Sequence, residues 1–329
     1  MRRVPVGGSG VSVTRLGFGA AQLGNLYRAT SDADARGAVD AAWDAGIRYF
    51  DTAPHYGLGL SERRLGAALA HRPRDEYVVS TKVGRVLEPT PVDAHRRDPD
   101  LFDVAATHRR VWDFSRDGVL RSIEDSLGRT GLDRVDIVYL HDPDDHRGEA
   151  FDQALPALVE LRDQGVVRAV GAGMNQSAML ADLVRTGAVD VVMCAGRFTL
   201  LDQTALADLL PAAVTHGTSV VVAGVYNSGL LARDVPPDDA TFDYAPAPAA
   251  LLERTRRIAA VCAEHGVTLP QAAHAYARTH PAVVSTVVGL RDPQQVRAAV
   301  DREAPVPPEL WPALARAGLL DPAAVPTAV

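Results

Sequence analysis

The sequence predicts a (β/α)8 TIM barrel, in which eight parallel strands each lead into a helix. Short runs rich in β-branched residues alternate eight times with amphipathic stretches along the 329 residues. Runs such as Val135–His141 are apolar on both faces, as expected of parallel strands covered by helices. No strand leads into a Gly-x-Gly-x-x-Gly pattern, since the run from Gly171 to Gly173 lacks the third glycine. This disfavours an open dinucleotide-binding sheet.

Each element follows from a local signal. The predicted strands are Thr14–Ala20, Arg48–Thr52, Tyr77–Lys82, Val135–His141, Val167–Gly173, Val189–Ala195, Ser219–Ala223 and Val283–Gly289. The predicted helices lie near 33–45, 60–70, 116–129, 149–163, 176–186, 203–216, 250–264 and 293–301, with extra helices near 268–280 and 307–319. Ser31 is expected to cap the first helix, and Gly46 and Gly165 to end helices. Val4–Val13 is expected to form an N-terminal hairpin that closes the barrel's bottom.

Two connections are longer than simple barrel loops. One runs from Gly84 to about Ser115 and the other from Ala232 to about Pro248. Both follow strands, so both are expected on the C-terminal face of the barrel, where such folds bind their ligands. Their aromatic residues favour functional lids over disordered insertions.

Composition excludes several classes of function. The length and the absence of a linker favour one domain over residues 1–329. The net charge is −7 and no run of Lys or Arg is long, which disfavours nucleic acid and anionic membranes as partners. No long apolar segment or leader is evident, so a cytoplasmic protein is expected, as a monomer or small homo-oligomer. Cys194 and Cys262 match no disulfide framework or zinc spacing and are expected to be buried apolar residues.

One residue type is almost missing from the chain. Lys82 is the only lysine among 34 basic residues, and the others are arginine. An ammonium is a compact charge, whereas a guanidinium is planar and broad. Lys82 is therefore a candidate for chemistry that arginine cannot perform, the alternative being chance retention on the surface.

Four polar residues are expected to meet at one rim of the barrel. Asp51, Lys82 and His141 end the second, third and fourth strands, and Tyr56 lies in the loop after Asp51. A tyrosine titrates near pH 10, and a neighbouring Lys82 would favour its ionised form. Asp51 would hold Lys82, and a neutral His141 would polarise a substrate oxygen. Such a group suits hydride transfer assisted by a cofactor.

Each of these residues also has a purely structural interpretation. Asp51 could cap a turn, Tyr56 could anchor a loop, and His141 could be a hydrogen-bonded core histidine. The pair His141 and His146 could suggest a metal site, but the segment between them reads as a turn and offers no third ligand. No metal is expected.

These residues resemble the aldo-keto reductases. Arg48–Gly57 continuing to Ser61 and Glu62 is similar to that family's strand-two signature, and the residues leading to Lys82 and His141 match the next two elements. The resemblance runs from about Val13 to about Val300. It implies a nicotinamide cofactor across the barrel mouth and Tyr56 as the proton-transfer residue.

The same resemblance implies a set of cofactor contacts. They are Asp51, Met174, Asn175, Cys194, Val225, Asn227, Gly229, Leu231, Gly289, Arg291 and Gln295. Asn175 matches the position that contacts the nicotinamide carboxamide, and Cys194 stands where glutamine is usual. The family's ring-stacking tyrosine has no simple equivalent, since Tyr226 lies three positions too late.

Cofactor preference is expected to lean toward NAD over NADP. Members that prefer the 2′-phosphate have a lysine and an arginine where this chain has Gly289 and Gln295, and Asp292 adds a negative charge. Arg291 remains a cation that could serve a phosphate.

Within the family, residues 195–203 and 224–231 resemble the branch of L-fucose and D-threo-aldose 1-dehydrogenases. This implies oxidation of an aldopyranose, such as L-fucose, D-arabinose or L-galactose, at C1 to a lactone. Trp112, Arg197 and Tyr244 are candidate substrate contacts beside Tyr56 and His141. The alternatives are a pyridoxal 4-dehydrogenase, an aldehyde or ketone reductase, and a nicotinamide-binding regulatory subunit.

Overall fold

A closed parallel barrel forms the centre of the molecule. The computed structural model describes residues 1–90, 95–243 and 245–326. In chain order its strands are β1 (Arg3–Pro5), β2 (Ser12–Thr14), β3 (Leu16–Gly19), β4 (Tyr49–Asp51), β5 (Val78–Val83), β6 (Arg85–Pro89), β7 (His108–Trp112), β8 (Ile137–His141), β9 (Ala169–Met174), β10 (Val191–Ala195), β11 (Ser219–Ala223), β12 (Thr241–Phe242), β13 (Ala245–Pro246) and β14 (Val283–Gly289). The barrel order is β3-β4-β5-β8-β9-β10-β11-β14, which confirms the predicted fold and its eight strands.

Helices surround this barrel. They are α1 (Asp32–Asp44), α2 (Leu60–Leu69), α3 (Arg116–Thr130), α4 (Arg147–Glu149), α5 (Leu155–Asp163), α6 (Ser177–Arg185), α7 (Leu209–His216), α8 (Ala249–Glu264), α9 (Leu269–Tyr276), α10 (Pro293–Asp301) and α11 (Leu310–Arg316). Ser31 Oγ accepts a hydrogen bond from Asp34 N at 3.0 Å, and Gly46 and Gly165 have positive φ angles. The predicted helix ends are therefore confirmed at these positions.

Two predicted helices are interrupted. The helix expected over 149–163 begins at Arg147 and passes through a π-helical turn, Ala150–Ala154, between α4 and α5. The helix expected over 203–216 is a 3-10 turn, Thr204–Leu206, followed by α7. Asp208 separates them because its backbone leaves helical geometry and its carboxylate accepts from Leu209 N at 2.5 Å.

Two apolar layers hold the barrel together, because successive strand residues face opposite sides. Ile137 and Tyr139 on β8 face the barrel interior, whereas Val138 and Leu140 pack against the helices. The interior layer also contains Val6 of the hairpin formed by β1 and β2. The predicted closure of the barrel's bottom by this hairpin is confirmed.

The two long connections contain strands that the sequence did not indicate. β6 and β7 pair antiparallel, with Arg85 opposite Trp112, and β12 pairs with β13. Glycine and proline around these short strands obscure their alternating pattern. Positions 91–94 of the first connection and Tyr244 of the second lie outside the described residues. In the described part of the chain, no helix has the length and apolar character needed to span a membrane.

Candidate active site

A buried ion pair lies at the mouth of the barrel. Lys82 Nζ donates to Asp51 Oδ2 at 2.7 Å and to the carbonyl oxygen of Thr52 at 3.0 Å. The side chains of Lys82 and Asp51 are only 2% and 4% exposed. Burial alone would lower the pKa of Lys82, but the charges of Asp51 and Tyr56 outweigh it and hold that pKa above its ordinary value. Lys82 therefore stays cationic.

Asp51 is held from inside the barrel by hydroxyl groups. Ser80 Oγ donates to Asp51 Oδ1 at 2.7 Å and lies 3.2 Å from the hydroxyl of Tyr49. That hydroxyl is in turn 3.2 Å from the hydroxyl of Tyr139. Sequence reasoning missed these residues, although Ser80 is two positions before Lys82 and faces the same side of β5. They leave the second oxygen of Asp51 directed at the ammonium.

Tyr56 is positioned by tight backbone packing. A Cβ atom on Gly24 would lie 2.6 Å from the Tyr56 carbonyl carbon, so glycine is needed for this approach. Gly57 has φ +62°, which favours glycine for the turn that follows. Lys82 Nζ lies 4.6 Å from the centroid of the Tyr56 ring. The ammonium therefore lies close enough to the phenol to favour its ionised form.

His141 closes the group as a neutral side chain. It ends β8, and its ring lies 5.9 Å from that of Tyr56 at 90°. Burial first, and then the charges of Arg85 and Lys82, lower the pKa of His141 well below its ordinary value. Its Nδ1 atom is buried and has no hydrogen-bond partner among the described residues. A neutral imidazole here can hydrogen-bond a substrate oxygen.

Three polar residues beside this group were not indicated by the sequence. His55 lies 5.5 Å from the ring of His141, and burial together with Arg85 lowers its pKa to about 2. Arg85 pairs with Asp142, and its guanidinium lies 4.4 Å over the ring of Trp112. The hairpin of β6 and β7 brings Arg85 and Trp112 together, and interpreting this segment as a loop concealed them.

Of the two expected cofactor contacts at the end of β9, only Asn175 reaches the mouth of the barrel. Met174, the last residue of β9, is buried in the layer between barrel and helices and lies opposite Cys194, so its side chain faces away from the mouth, contrary to expectation. Asn175 follows it at the strand end. β9 pairs in parallel with β8, with Gly173 opposite His141. Asn175 therefore lies at the same end of the barrel as Asp51, Lys82 and His141.

The structure corrects the position expected of Cys194. On β10 it is Met193 that faces the barrel interior, where it lies beside Gly173. Cys194 is fully buried in the layer between barrel and helices. Because neighbouring strand residues face opposite sides, the expectation was wrong by one position. Burial raises the pKa of the Cys194 thiol to about 12, as it does for Cys262.

The loop after β11 can offer a cofactor its backbone groups and one side-chain amide, that of Asn227. Val225 and Leu231 are buried in the helix-facing core, so their side chains point away from the mouth, whereas Gly229 is exposed. Asn227 is buried, and its Oδ1 atom finds no partner within the described ranges. The hydroxyl of Tyr226 accepts from Arg302 at 3.1 Å, so this ring is held elsewhere, as its late position suggested.

After β14, Arg291 has a structural role. Its buried guanidinium donates to the carbonyl oxygens of Leu26 at 2.6 Å and Arg28 at 2.8 Å, and to the hydroxyl of Thr30. These bonds fix the loop of residues 26–30 against the start of α10. Arg291 is thus committed to backbone groups and is not the free cation considered from the sequence.

The start of α10 borders a cleft of about 430 Å³. Asp292 caps the helix by accepting from Gln295 N at 2.8 Å, and Gln295 Oε1 accepts from Arg291 N at 3.0 Å. A Cβ atom on Gly289 would lie 2.4 Å from the amide of Gln22, so glycine leaves room for that side chain. Arg28 and Arg297 also line the cleft. Helix start and cations together can hold an anionic group of a dinucleotide.

Two of the candidate substrate contacts, Trp112 and Arg197, can be located in the structure. Trp112 is 45% exposed beside Arg85 and stacks on Phe114 with centroids 5.9 Å apart. Arg197 donates to Asp243 at 3.1 Å, which links the loop after β10 to the second long connection. Tyr244 lies outside the described residues. The ring of His146 lies 5.1 Å from that of Trp112 and is tilted by 34° against it. Across residues 1–90, 95–243 and 245–326, no cluster of His, Cys, Asp or Glu is arranged to hold a metal ion.

Comparison with known proteins agrees with this geometry. The model of the aldo/keto reductase family matches residues 15–313. The chain belongs to the aldo/keto reductase family. It is 47% identical over 319 residues to a D-threo-aldose 1-dehydrogenase of Pseudomonas sp, covering 95% of this chain and 96% of the relative. It is 39% identical over 339 residues to a pyridoxal 4-dehydrogenase of Microbacterium luteolum, covering 96% and 97%.

A solved structure shows the same architecture. The holo form of an aldo-keto reductase from Bacillus halodurans has a TM-score of 0.76 at 25% identity, and the match covers 98% of this chain and 97% of that one. As a family member the chain is an oxidoreductase that acts on CH–OH groups, and the family uses NAD(P)H. A small sugar or aldehyde substrate fits this class.

Proposed function

We propose that the chain is an aldose 1-dehydrogenase that oxidises an aldopyranose at C1 to the lactone, with NAD preferred over NADP. The observation that carries the proposal is the buried pair of Lys82 and Asp51 beside Tyr56, at the same mouth as a neutral His141. The 47% identity to a D-threo-aldose 1-dehydrogenase supports a sugar substrate.

Each residue of the group has one task in this reaction. The nicotinamide cofactor, when bound, supplies the acceptor for the hydride that leaves C1. Tyr56 takes the proton of the anomeric hydroxyl, and Lys82 stabilises the phenolate that must exist beforehand. Asp51 keeps Lys82 in place, and His141 donates a hydrogen bond to the sugar oxygen. Loss of one hydride and one proton from the hemiacetal gives the lactone.

Cofactor binding is assigned to the mouth and to the cleft beside α10. Asn227 Oδ1 and Gln22 Oε1 are buried there, and no partner for either lies in the described part of the chain, so both suit groups that bring their own donors. Asn175 completes the nicotinamide side.

The preference for NAD rests on Asp292, which is negatively charged, and on Gly289 and Gln295, which offer no charge to a 2′-phosphate. Arg28 and Arg297 are exposed cations in the cleft that would bind the pyrophosphate of the dinucleotide.

The sugar is expected against the first long connection. Trp112 is 45% exposed, and Arg85, which covers one face of its ring, offers donors to hydroxyl groups. Arg197, in the loop after β10, is a further candidate contact, and Tyr244 in the second long connection stays a prediction. The ion pair of Arg197 with Asp243 supports this by holding that connection near the loop after β10.

The first experiment measures formation of reduced cofactor with NAD or NADP and a panel containing L-fucose, D-arabinose, L-galactose and pyridoxal. We expect oxidation of at least one aldose, faster with NAD. The control is Tyr56→Phe, which should abolish turnover but bind cofactor as tightly as the native chain, because only the proton acceptor is lost.

Three outcomes would contradict parts of the proposal. Activity on pyridoxal with none on any aldose would assign the substrate class of the 39% identical relative instead. Cofactor binding without turnover on any substrate would favour a regulatory protein. Near-native rates for Tyr56→Phe would remove the proposed proton acceptor whichever substrate is used.

A further inference from the structure

The hairpin of β6 and β7 brings a second cation to the group around Tyr56. Arg85 Nη1 lies 3.4 Å from both ring nitrogens of His55. The ring of His55 lies 6.0 Å from that of Tyr56 and 5.5 Å from that of His141. The guanidinium of Arg85 therefore borders the same pocket as the ammonium of Lys82, approached from the first long connection.

Arg85 is held in a fixed position. Its guanidinium donates to Asp142, the residue after His141, and packs 4.4 Å over the ring of Trp112, its register partner in the hairpin. The Arg85 side chain is 15% exposed, and its Nε atom is buried with no acceptor among the described residues. A charge with so little water around it acts more strongly on its neighbours.

The electrostatic effect of Arg85 on its neighbours is not cancelled by its ion-pair partner, Asp142. Asp142 lies 3.7 Å from His141 Nε2 and would favour a protonated imidazole. Burial and the charge of Arg85 nevertheless lower the pKa of His141 well below its ordinary value. A field that disfavours a cation on His141 favours an anion on Tyr56, whose ring lies 5.9 Å away.

The charge of Arg85 also acts on the phenol itself. Burial lowers the pKa of Arg85, and the charges of Asp142 and then Tyr56 oppose that change. Opposite charges within a few ångströms stabilise each other's ionised forms, so the effect is mutual.

We propose that Arg85 is a second cation that, together with Lys82, stabilises the ionised form of Tyr56 and so biases the site toward oxidation. This rests on the proposed role of Tyr56 as proton acceptor. Oxidation begins from the phenolate, whereas carbonyl reduction begins from the phenol. A second cation therefore lowers the pH at which oxidation begins.

The other charged groups around Tyr56 do not take this role. Arg110 donates to the carbonyl oxygen of His55, but two carboxylates, Asp98 at 2.6 Å and Asp100 at 3.0 Å, neutralise it. Lys82 is the first cation beside the phenol and is held there by Asp51. His55 and His141 are neutral at working pH and add no charge. Among the described residues, the titratable and charged groups facing the phenol are Asp51, His55, Lys82, Arg85, Arg110 with Asp98 and Asp100, His141 and Asp142.

The first test does not depend on any substrate. The pH titration of tyrosinate absorbance is compared between each protein and the same protein with Tyr56→Phe, so that the difference reports Tyr56 alone. Arg85→Gln should raise the pKa of Tyr56 by about one unit. Arg85→Lys should recover at least half of that shift. Arg109→Gln, which removes an exposed cation paired with Glu88 on the same hairpin, should leave it unchanged.

The second test compares the two directions of the reaction. In Arg85→Gln the acidic limb of kcat/KM for aldose oxidation should move up by about one pH unit, giving about tenfold slower oxidation below the limb. Carbonyl reduction should instead persist to higher pH. A merely structural role would slow both directions without moving either limb.

Three results would overturn the inference. They are an unchanged Tyr56 titration in Arg85→Gln, a shift in the opposite direction, or an Arg85→Lys variant that behaves like Arg85→Gln. If the native chain oxidised no aldose while the titration shifted as expected, the proposed function would fail and the role of Arg85 would stand. If the native chain oxidised an aldose but the titration did not shift, the role of Arg85 would fail and the proposed function would stand.

Discussion

Lys82 occupies a space that suits an ammonium. Its Nζ atom donates to Asp51 and to the carbonyl oxygen of Thr52, and the same atom lies 4.6 Å from the centroid of Tyr56. A Cβ atom on Gly173 would lie 3.8 Å from Lys82 Cε, so the stem is also enclosed. A planar guanidinium has no comparable compact head, which explains why arginine does not replace lysine here.

Lys82→Arg is therefore expected to lower turnover by on the order of a hundredfold or more, although the charge is conserved. The broader head would displace Asp51 or Tyr56 from a fully enclosed position and cost about 1–3 kcal/mol of unfolding free energy. Steady-state kcat together with chemical unfolding measures both effects. Arg109→Lys on the exposed hairpin is the matched exchange of cations. It should change neither kcat nor the free energy of unfolding. An active Lys82→Arg protein would contradict the meaning given to the single lysine.

At the scale of elements, close approaches between helices fix where the strand ends lie. Glu62 on α2 is fully buried, accepts from Thr81 Oγ1 at 2.9 Å and pairs with Arg129 on α3 at 2.5 Å. Beside this pair, a Cβ atom on Gly66 would lie 1.9 Å from the carbonyl oxygen of Thr130. The two helices therefore pack backbone against backbone next to β5, which carries Lys82.

Gly66→Ala is expected to destabilise the fold by about 1–3 kcal/mol, because backbone atoms rather than a flexible side chain must move. Gly128→Ala provides the matched control within α3, since nothing described lies within 4 Å of its added methyl group. That variant should be more stable by about 0.5–1 kcal/mol, as is usual for replacing glycine inside a helix. Urea unfolding measures both. Equal effects of the two substitutions would show that α2 and α3 are not in contact there.

At the scale of the whole molecule, buried neutral histidines link folding to pH. His274 is fully buried, lies 2.7 Å from the hydroxyl of Thr286, and has its pKa lowered by burial to about 3. The pKa of His141 is also lowered well below its ordinary value, and that of His55 is lowered to about 2. All three pKa values are depressed in the folded state, so the unfolded chain binds protons first as the pH falls.

The free energy of unfolding should therefore reach its full value above about pH 6.5 and decrease below it, by about 1.4 kcal/mol per pH unit for each of His55, His141 and His274. Urea unfolding between about pH 8 and pH 5 gives this slope. His274→Gln should reduce the slope by about one proton even if the variant is less stable at every pH. A stability that stays flat over this range would mean that these histidines accept protons in the folded state.

Much of this protein was predictable from its residues. Eight strands, the N-terminal hairpin and the convergence of Asp51, Lys82 and His141 follow from apolar runs, glycine at helix ends and the polar residue at each strand end. These signals are local, and in a barrel of parallel strands they all map to one rim. The interruptions at Ala150–Ala154 and Asp208 were not predictable, because their causes are backbone geometry and a side-chain contact to one amide.

The sequence by itself determined the barrel, the family and the identity of the four residues at its mouth. The spacing of apolar residues, the order of the strands and the residue types can all be read directly from the chain. Tertiary structure alone decided that Met193 rather than Cys194 faces the interior, that Arg291 is committed to backbone oxygens, and that Arg85 lies beside His55. The physical reason is common to all three. Each of them depends on how distant segments pack. They are the side of the barrel that a residue of β10 faces, a hydrogen-bond partner 265 positions away and the register of a hairpin. No local pattern in the sequence records how these segments pack.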